Sequence, residues 1–111
     1  MNVQQRDVVL IPVIFSDQTA KKTRPAIIIS NDQINSTSDD VLLIPLTSVM
    51  KELPYSVFIT DNDLADGKLA APCRACADKL FTAHKSLIAR KIGRTKYHVI
   101  KAIKEAISQV V

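Results

Sequence analysis

At 111 residues the chain has the length of one compact domain rather than two. Its apolar fraction of 47% is enough for a packed core, and its net charge of +4 favours polyanionic or acidic partners over basic ones. No linker, internal repeat or low-complexity tract divides it, and its longest early apolar run, residues 8 to 15, is far too short to span a bilayer and is broken by Pro12. The polar start, Met1 to Asp7, lacks the charged-then-apolar layout of a signal peptide, so the expectation is a single domain over 1–111, in the cytoplasm, with no membrane partner.

The first two thirds read as short strands separated by turn signals. Val8 to Phe15 is a first strand, and Pro12 suggests an edge or a bulge. A polar, basic loop from Ser16 to Thr23 follows. Pro25 to Ser30 is a second strand, rich in isoleucine, with Arg24 held extended at its mouth by the proline. Asp32 to Asn35 fits one helical turn, Val41 to Thr47 a third strand, and Tyr55 to Thr60 a fourth. Asp61-Asn62-Asp63 and Gly67 are turn signals. Leu69 to Thr82 is long enough for one bent strand or a hairpin, and Leu87 to Ile92 is a last short strand.

The period then changes. Val99, Ile100, Ile103, Ala106, Ile107 and Val110 recur at helical spacing, which predicts an amphipathic helix over about 96–110. Thr95 is the expected N-cap, with an incomplete capping box because His98 stands where an acid would serve. Short strands followed by one helix imply a mainly β fold: a small barrel or curled sheet with a helix over one opening.

Charge is distributed unevenly. From Lys79 to Lys104 there are eight Lys/Arg residues and no acid, while the acids gather between Asp32 and Asp66. A basic face of this kind tilts toward nucleic acid, although each lysine alone reads as solvated helix surface.

Several residues can carry chemistry. Arg24 presents a permanent planar cation, suited to a phosphate, and its plainer role is an ion pair at a barrel end. Thr47 and Ser48 put two hydroxyls at a strand end, and such hydroxyls often satisfy local backbone groups instead. Arg74, Cys76 and Asp78 share a face if residues 69–82 form one extended strand, and Lys79 then points the other way. Cys73-Arg-Ala-Cys76 is formally a C-x-x-C, but i and i+3 on a strand face opposite ways. Half-buried apolar cysteines are therefore expected rather than a redox pair or, with His84 and His98, a zinc site.

The ordered set Asp7-Val-Val-Leu-Ile11, Phe15-Ser-Asp-Gln18, Lys21-Lys-Thr-Arg-Pro25, Ile29-Ser-Asn-Asp32, Leu46-Thr-Ser48, Ala77-Asp-Lys-Leu-Phe-Thr82 and Ile92-Gly-Arg-Thr95 resembles the MazF/PemK family of toxin endoribonucleases over about residues 5–110. The resemblance implies an SH3-like β-barrel of the MazF/CcdB type that works as a homodimer. It implies metal-independent cleavage of single-stranded RNA, leaving a 2′,3′-cyclic phosphate and a 5′-hydroxyl, with no cofactor and no metal ligands. Arg24 matches the arginine that contacts the scissile phosphate, and Thr47 matches the threonine or serine after the third strand. Asp78 matches an aspartate some members use as a base, but the arginine expected two residues before it is replaced by Cys76, with Arg74 two residues further back. Asp17, Gln18, Lys21, Lys22, Ser48 and Arg74 are the RNA-binding candidates. The implied partners are single-stranded mRNA and a cognate antitoxin with a flexible acidic segment. A non-catalytic toxin on the same barrel, such as a DNA gyrase inhibitor, is the alternative.

Overall fold

The computed structural model describes residues 2–14, 21–49 and 51–111, with the backbone alone for Val13, Ile14, Lys21 and Lys22. Among the described residues eight strands and two α-helices follow in chain order: β1 (Asp7–Ile14), β2 (Lys21–Ile28), α1 (Asp32–Thr37), β3 (Asp40–Thr47), β4 (Ser56–Ile59), β5 (Leu64–Gly67), β6 (Cys73–Cys76), β7 (Phe81–His84), β8 (Arg90–Thr95) and α2 (Tyr97–Val110). All described pairings are antiparallel, in the order β4-β6-β3-β2-β1-β8-β5, with β7 also on β3. The mainly β architecture with a C-terminal helix is as expected, in the form of a curled half-barrel sheet.

Alternation along the strands divides the interior in two. Val8, Ile27, Ile44, Leu46, Ile59 and Leu64 face one way and meet Val99, Ile103 and Ala106 of α2. Val9, Ile11, Ala26, Ile28, Val41 and Leu43 face the other way and pack with Ala83 and Ile88. Burying each Ile or Leu contributes about 1.5–3 kcal/mol, so the helical stripe anchors α2 across one face of the sheet. Among the described residues the opposite face carries none of α1 or α2; strand residues, Val3 and Ile88 fill it, and it is the face that opens into a cleft.

Four local readings differ from the sequence expectation. The second strand starts at Lys21, so Arg24 lies inside β2 opposite Ile11 of β1, not at its mouth. Residues 64–67 form a strand rather than a turn, because β5 finds a partner in β8. Gly67 has φ +82° there, and a Cβ on it would collide with the Ile92 carbonyl. Within 69–82 only Cys73–Cys76 and Phe81–His84 are strand, neither one continuous bent strand nor a hairpin: β6 and β7 both pair with β3, in registers offset by the 3₁₀ turn Ala77–Lys79. The helix cap is Lys96, without a side-chain bond. Thr95 stays in β8, fully buried, and its Oγ1 donates to the Arg6 carbonyl at 3.2 Å.

Candidate functional site: a cationic cleft on the helix-free face

The cleft occupies about 1050 Å³. Its polar side is made by Arg24, Thr47, Ser48, Lys79 and Thr82, and its apolar wall includes Pro12, Pro45, Leu53, Phe81 and Leu87. Among the described lining residues none is acidic.

Strand register explains why these groups meet. Ala26 of β2 pairs with Pro45 of β3. Continuing that register by two residues sets Arg24 across from Thr47, and directly opposed residues of antiparallel strands point to the same face. That face carries Ala26, Ile28 and Leu43 in the second core, and it runs outward into the cleft. Pro25 and Pro45 lack N–H donors, so backbone pairing weakens where the two candidate side chains emerge. The prolines thus help to open the sheet at the site.

Arg24 is half-buried and Ser48 is exposed. Thr47 Oγ1 accepts from the Val49 N–H at 3.3 Å. Its own hydroxyl proton is thereby left to donate to a ligand oxygen in the cleft.

The row continues on the other side of β3. Thr47 pairs with Arg74 of β6, and Arg74 pairs with Phe58 of β4. Arg74 is half-buried, its guanidinium lies 5.1 Å from the Phe58 ring centroid, and its buried Nε has no acceptor among the described residues. Arg74 therefore shares the face of Arg24 and Thr47 despite its shifted place in the sequence. Cys76, two residues on, faces the cleft, whereas Cys73 points into the helix-side core. Both thiols are free and buried, and burial pushes both pKa values up. The pair sits back to back across the strand, as the spacing predicted.

Asp78 is not among the residues lining the cleft. It lies in the 3₁₀ turn after β6, exposed, with its carboxylate 3.6 Å from Lys79 Nζ. The turn rotates Lys79 into the cleft lining, contrary to the strand-based expectation that it points away. The apolar wall and Lys79 were missed from sequence. The wall needs the fold to converge, and no local signal marks the 3₁₀ turn. Asp17 and Gln18 lie outside the described residues. Lys21 and Lys22 belong to β2, opposite Ile14 and Val13, with only their backbone described.

The basic run from Lys79 to Lys104 does not form one patch at the cleft. Lys91 Nζ approaches buried Asp7 at 3.1 Å and Arg94 approaches it at 3.8 Å, while Lys101 and Lys104 project from the outer side of α2. Only Lys79 of that run lines the cleft. Among the described residues no helix is long and apolar enough to cross a membrane.

Residues 4–111 match the family model of the PemK-like, MazF-like toxin of type II toxin–antitoxin systems. Endoribonuclease MazF9 of Mycobacterium tuberculosis (strain ATCC 25618 / H37Rv) is 27% identical over 94 residues, covering 79% of this chain and 77% of that protein. The solved Mycobacterium tuberculosis toxin MazF-mt6 superposes with a TM-score of 0.76 at 23% identity, over 95% of each chain. A MazE–MazF crystal structure from Deinococcus radiodurans gives a TM-score of 0.77 at 15% identity, over 99% of this chain and 96% of that one. An endoribonuclease in complex with its cognate antitoxin, from a mycobacterial species, gives 0.76 at 19% identity, over 97% and 93%.

Proposed function

We propose, from the premise that the chain belongs to the PemK-like, MazF-like toxin family of type II toxin–antitoxin systems, that it is a metal-independent endoribonuclease acting on single-stranded mRNA in the cytoplasm. Residues 1–111 are read as one toxin domain that works as a homodimer. The single observation carrying this reading is that Arg24 of β2 and Thr47 of β3 line one cleft whose described lining holds no acid. The curated relative MazF9 is itself named an endoribonuclease.

The chemistry follows from RNA. The 2′-oxygen bonds to phosphorus as its proton passes to water, the P–O5′ bond breaks and the departing 5′-oxygen takes a proton from water, and negative charge builds on the phosphorane oxygens between these events. A guanidinium set in a partly dry cleft opposes that charge without reorganising. Arg24 takes this electrostatic role, since its high pKa makes it a poor proton donor. The Thr47 hydroxyl donates to a neighbouring phosphate oxygen, and Ser48 is a supporting contact at the rim. Lys79 raises the local potential from the opposite wall. Asp78, turned out of the row, acts on the site through its contact with Lys79. The products are a 2′,3′-cyclic phosphate and a 5′-hydroxyl.

The cleft also offers an antitoxin its target. A flexible acidic segment lying where RNA lies would cover the apolar wall and meet the same cations, coupling folding to binding. Incubating pure protein with RNA in excess EDTA tests the enzymatic reading. Cleavage with cyclic-phosphate ends is expected, while intact RNA together with inhibition of DNA gyrase would replace it with the non-catalytic toxin.

A further inference from the structure

Thr47 on β3, Arg74 on β6 and Phe58 on β4 are paired in a line across the sheet, and the β2–β3 register extended by two residues brings Arg24 on β2 into it. Arg24 and Thr47 serve the scissile phosphate in the reading above. We propose that Arg74 and Phe58 form a stacking platform for a nucleobase of the RNA, one nucleotide away from the cut. The proposal rests on the endoribonuclease reading and adds to it a base-binding subsite and the direction in which RNA crosses the sheet.

Distance comes first. Neighbouring strands lie about 4.8 Å apart, so Arg74 stands one strand beyond Thr47 and Phe58 stands two. The Arg74 guanidinium lies over the Phe58 ring at 5.1 Å, on the side of β6 away from Thr47. It is turned from the scissile phosphate toward the next position of a chain that runs across the strands.

Shape and chemistry come second. Phe58 is 50% exposed, in a chain with only three phenylalanines, so its ring is not a core residue. A guanidinium held against an aromatic ring is a flat, cationic surface. Single-stranded RNA is read by stacking its splayed bases on such planes, and every base has a face to offer. Arginine is specific to this role, because an ammonium group has no plane to stack. The buried Nε has no carboxylate acceptor among the described residues. The guanidinium instead meets the Phe58 ring.

The test uses an RNA oligonucleotide spanning a mapped cleavage site. A 2′-deoxy nucleotide at the cut blocks the reaction, and 2-aminopurine is placed in turn on each side of it. Wild-type protein should quench the fluorophore at one of these positions. Phe58→Leu keeps apolar volume and loses the ring, and Arg74→Lys keeps charge and loses the plane. Each should abolish the quench and weaken binding about tenfold, as loss of one stacked base does. On cleavable RNA the same variants should raise KM with kcat nearly unchanged. An abasic nucleotide at the quenched position should erase the difference between wild type and Phe58→Leu. The platform is wrong if neither position is quenched, or if both variants bind and cleave like wild type. It is also wrong if Phe58→Leu acts by changing the oligomeric state, since Phe58 would then belong to a subunit contact. An inert wild-type protein would sink the nuclease reading and the platform together. Cleavage that depends on Arg24 but not on Phe58 or Arg74 would sink the platform alone.

Discussion

Two places in the molecule gather cations, and they use them in opposite ways. Where β1 meets β8, the Asp7 carboxylate is 1% exposed, accepts from the Gln4 N–H at 2.8 Å and draws in Lys91 and Arg94. Close by, Arg6 adopts a left-handed φ of 82°, and its guanidinium donates to the Thr95 carbonyl at 3.0 Å. Charge there is spent on holding the N-terminal segment to the last strand. At the cleft, Arg24, Thr47 and Lys79 border open volume with no acid among the described lining residues. Sign alone therefore does not identify function on this surface. Among the described residues, the two regions differ in their surroundings: a buried carboxylate sits within the Asp7 cluster, whereas the cleft cations border open volume.

The sharpest way to break the comparison is to exchange the consequences. Arg24→Ala should lower cleavage by about 10²–10³-fold, the usual cost of one preorganised donor to transition-state charge, with little change in thermal stability. Asp7→Ala should do the reverse. Removing a buried carboxylate that holds two cations should cost about 2–3 kcal/mol of stability, below the most severe cases because Lys91 and Arg94 can turn to solvent. Its activity per folded molecule should stay near wild type. Calorimetry and a cleavage assay on both variants check this pair. A stability loss in Arg24→Ala as large as that in Asp7→Ala would erase the distinction between the two regions.

Thr47→Ala sits between them. Among the described residues its hydroxyl is engaged by one local donor, the Val49 N–H. We expect about a tenfold drop in kcat, close to one hydrogen bond made in the transition state, and a melting temperature within a few degrees of wild type. Unfolding of this variant would make the hydroxyl structural.

How much of this was legible in the sequence differs between fold and site. The 3.6-residue period from Val99 to Ile107 marked α2 and its buried stripe, and the isoleucines after Pro25 marked β2. Arg24 and Thr47 were legible because each stands beside a proline-marked strand. The Arg74 position was legible as a face but not as a neighbour, since which strand lies beside β6 is a long-range fact. β5 was not legible, because Leu64–Gly67 has one buried residue and no alternation of its own. The 3₁₀ turn over residues 77–79 was hidden for the opposite reason. Its alanine and flanking cysteine look like continuing strand, and only the offset between β6 and β7 on β3 requires an insertion there. The basic run misled because composition cannot show that Asp7, some eighty residues earlier in the chain, draws in two of its members.

A smaller effect should appear in acid. Asp63 is held below its ordinary pKa of 3.8, first by the Thr60 backbone N–H that its carboxylate accepts and then by His98, whose Nε2 lies 2.8 Å away. A depressed carboxylate pKa stabilises the folded state above the unfolded value, and that stability is lost as pH falls through the folded value. Asp63→Asn should therefore be slightly less stable than wild type at pH 5, with the gap closing below about pH 4. Because the group is partly exposed, the gap should be small and shrink with salt. Thermal melts of both proteins from pH 3 to pH 6 measure it, and a gap that widens toward acid would contradict the assignment.

The smallest expected effect belongs to Asp78, and it separates the structural reading from the pattern-based one. A general base must reach the 2′-hydroxyl proton directly or through one water. Asp78 leaves the row at the 3₁₀ turn, stands exposed and contacts the Lys79 ammonium instead. An exposed pair of this kind is worth at most about 1 kcal/mol, so its loss can shift the position of Lys79 but not remove a proton acceptor from the cleft. Asp78→Asn should change kcat by no more than about threefold, and the pH–rate profile should keep its shape, because no catalytic ionisation has been deleted. A true base at this position would lower kcat by about 10²-fold or more and flatten the acid limb of the profile. Measuring kcat from pH 5 to pH 9 for wild type and Asp78→Asn decides between them. A large loss with a flattened limb would mean that RNA binding turns this segment back toward Arg24 and Thr47.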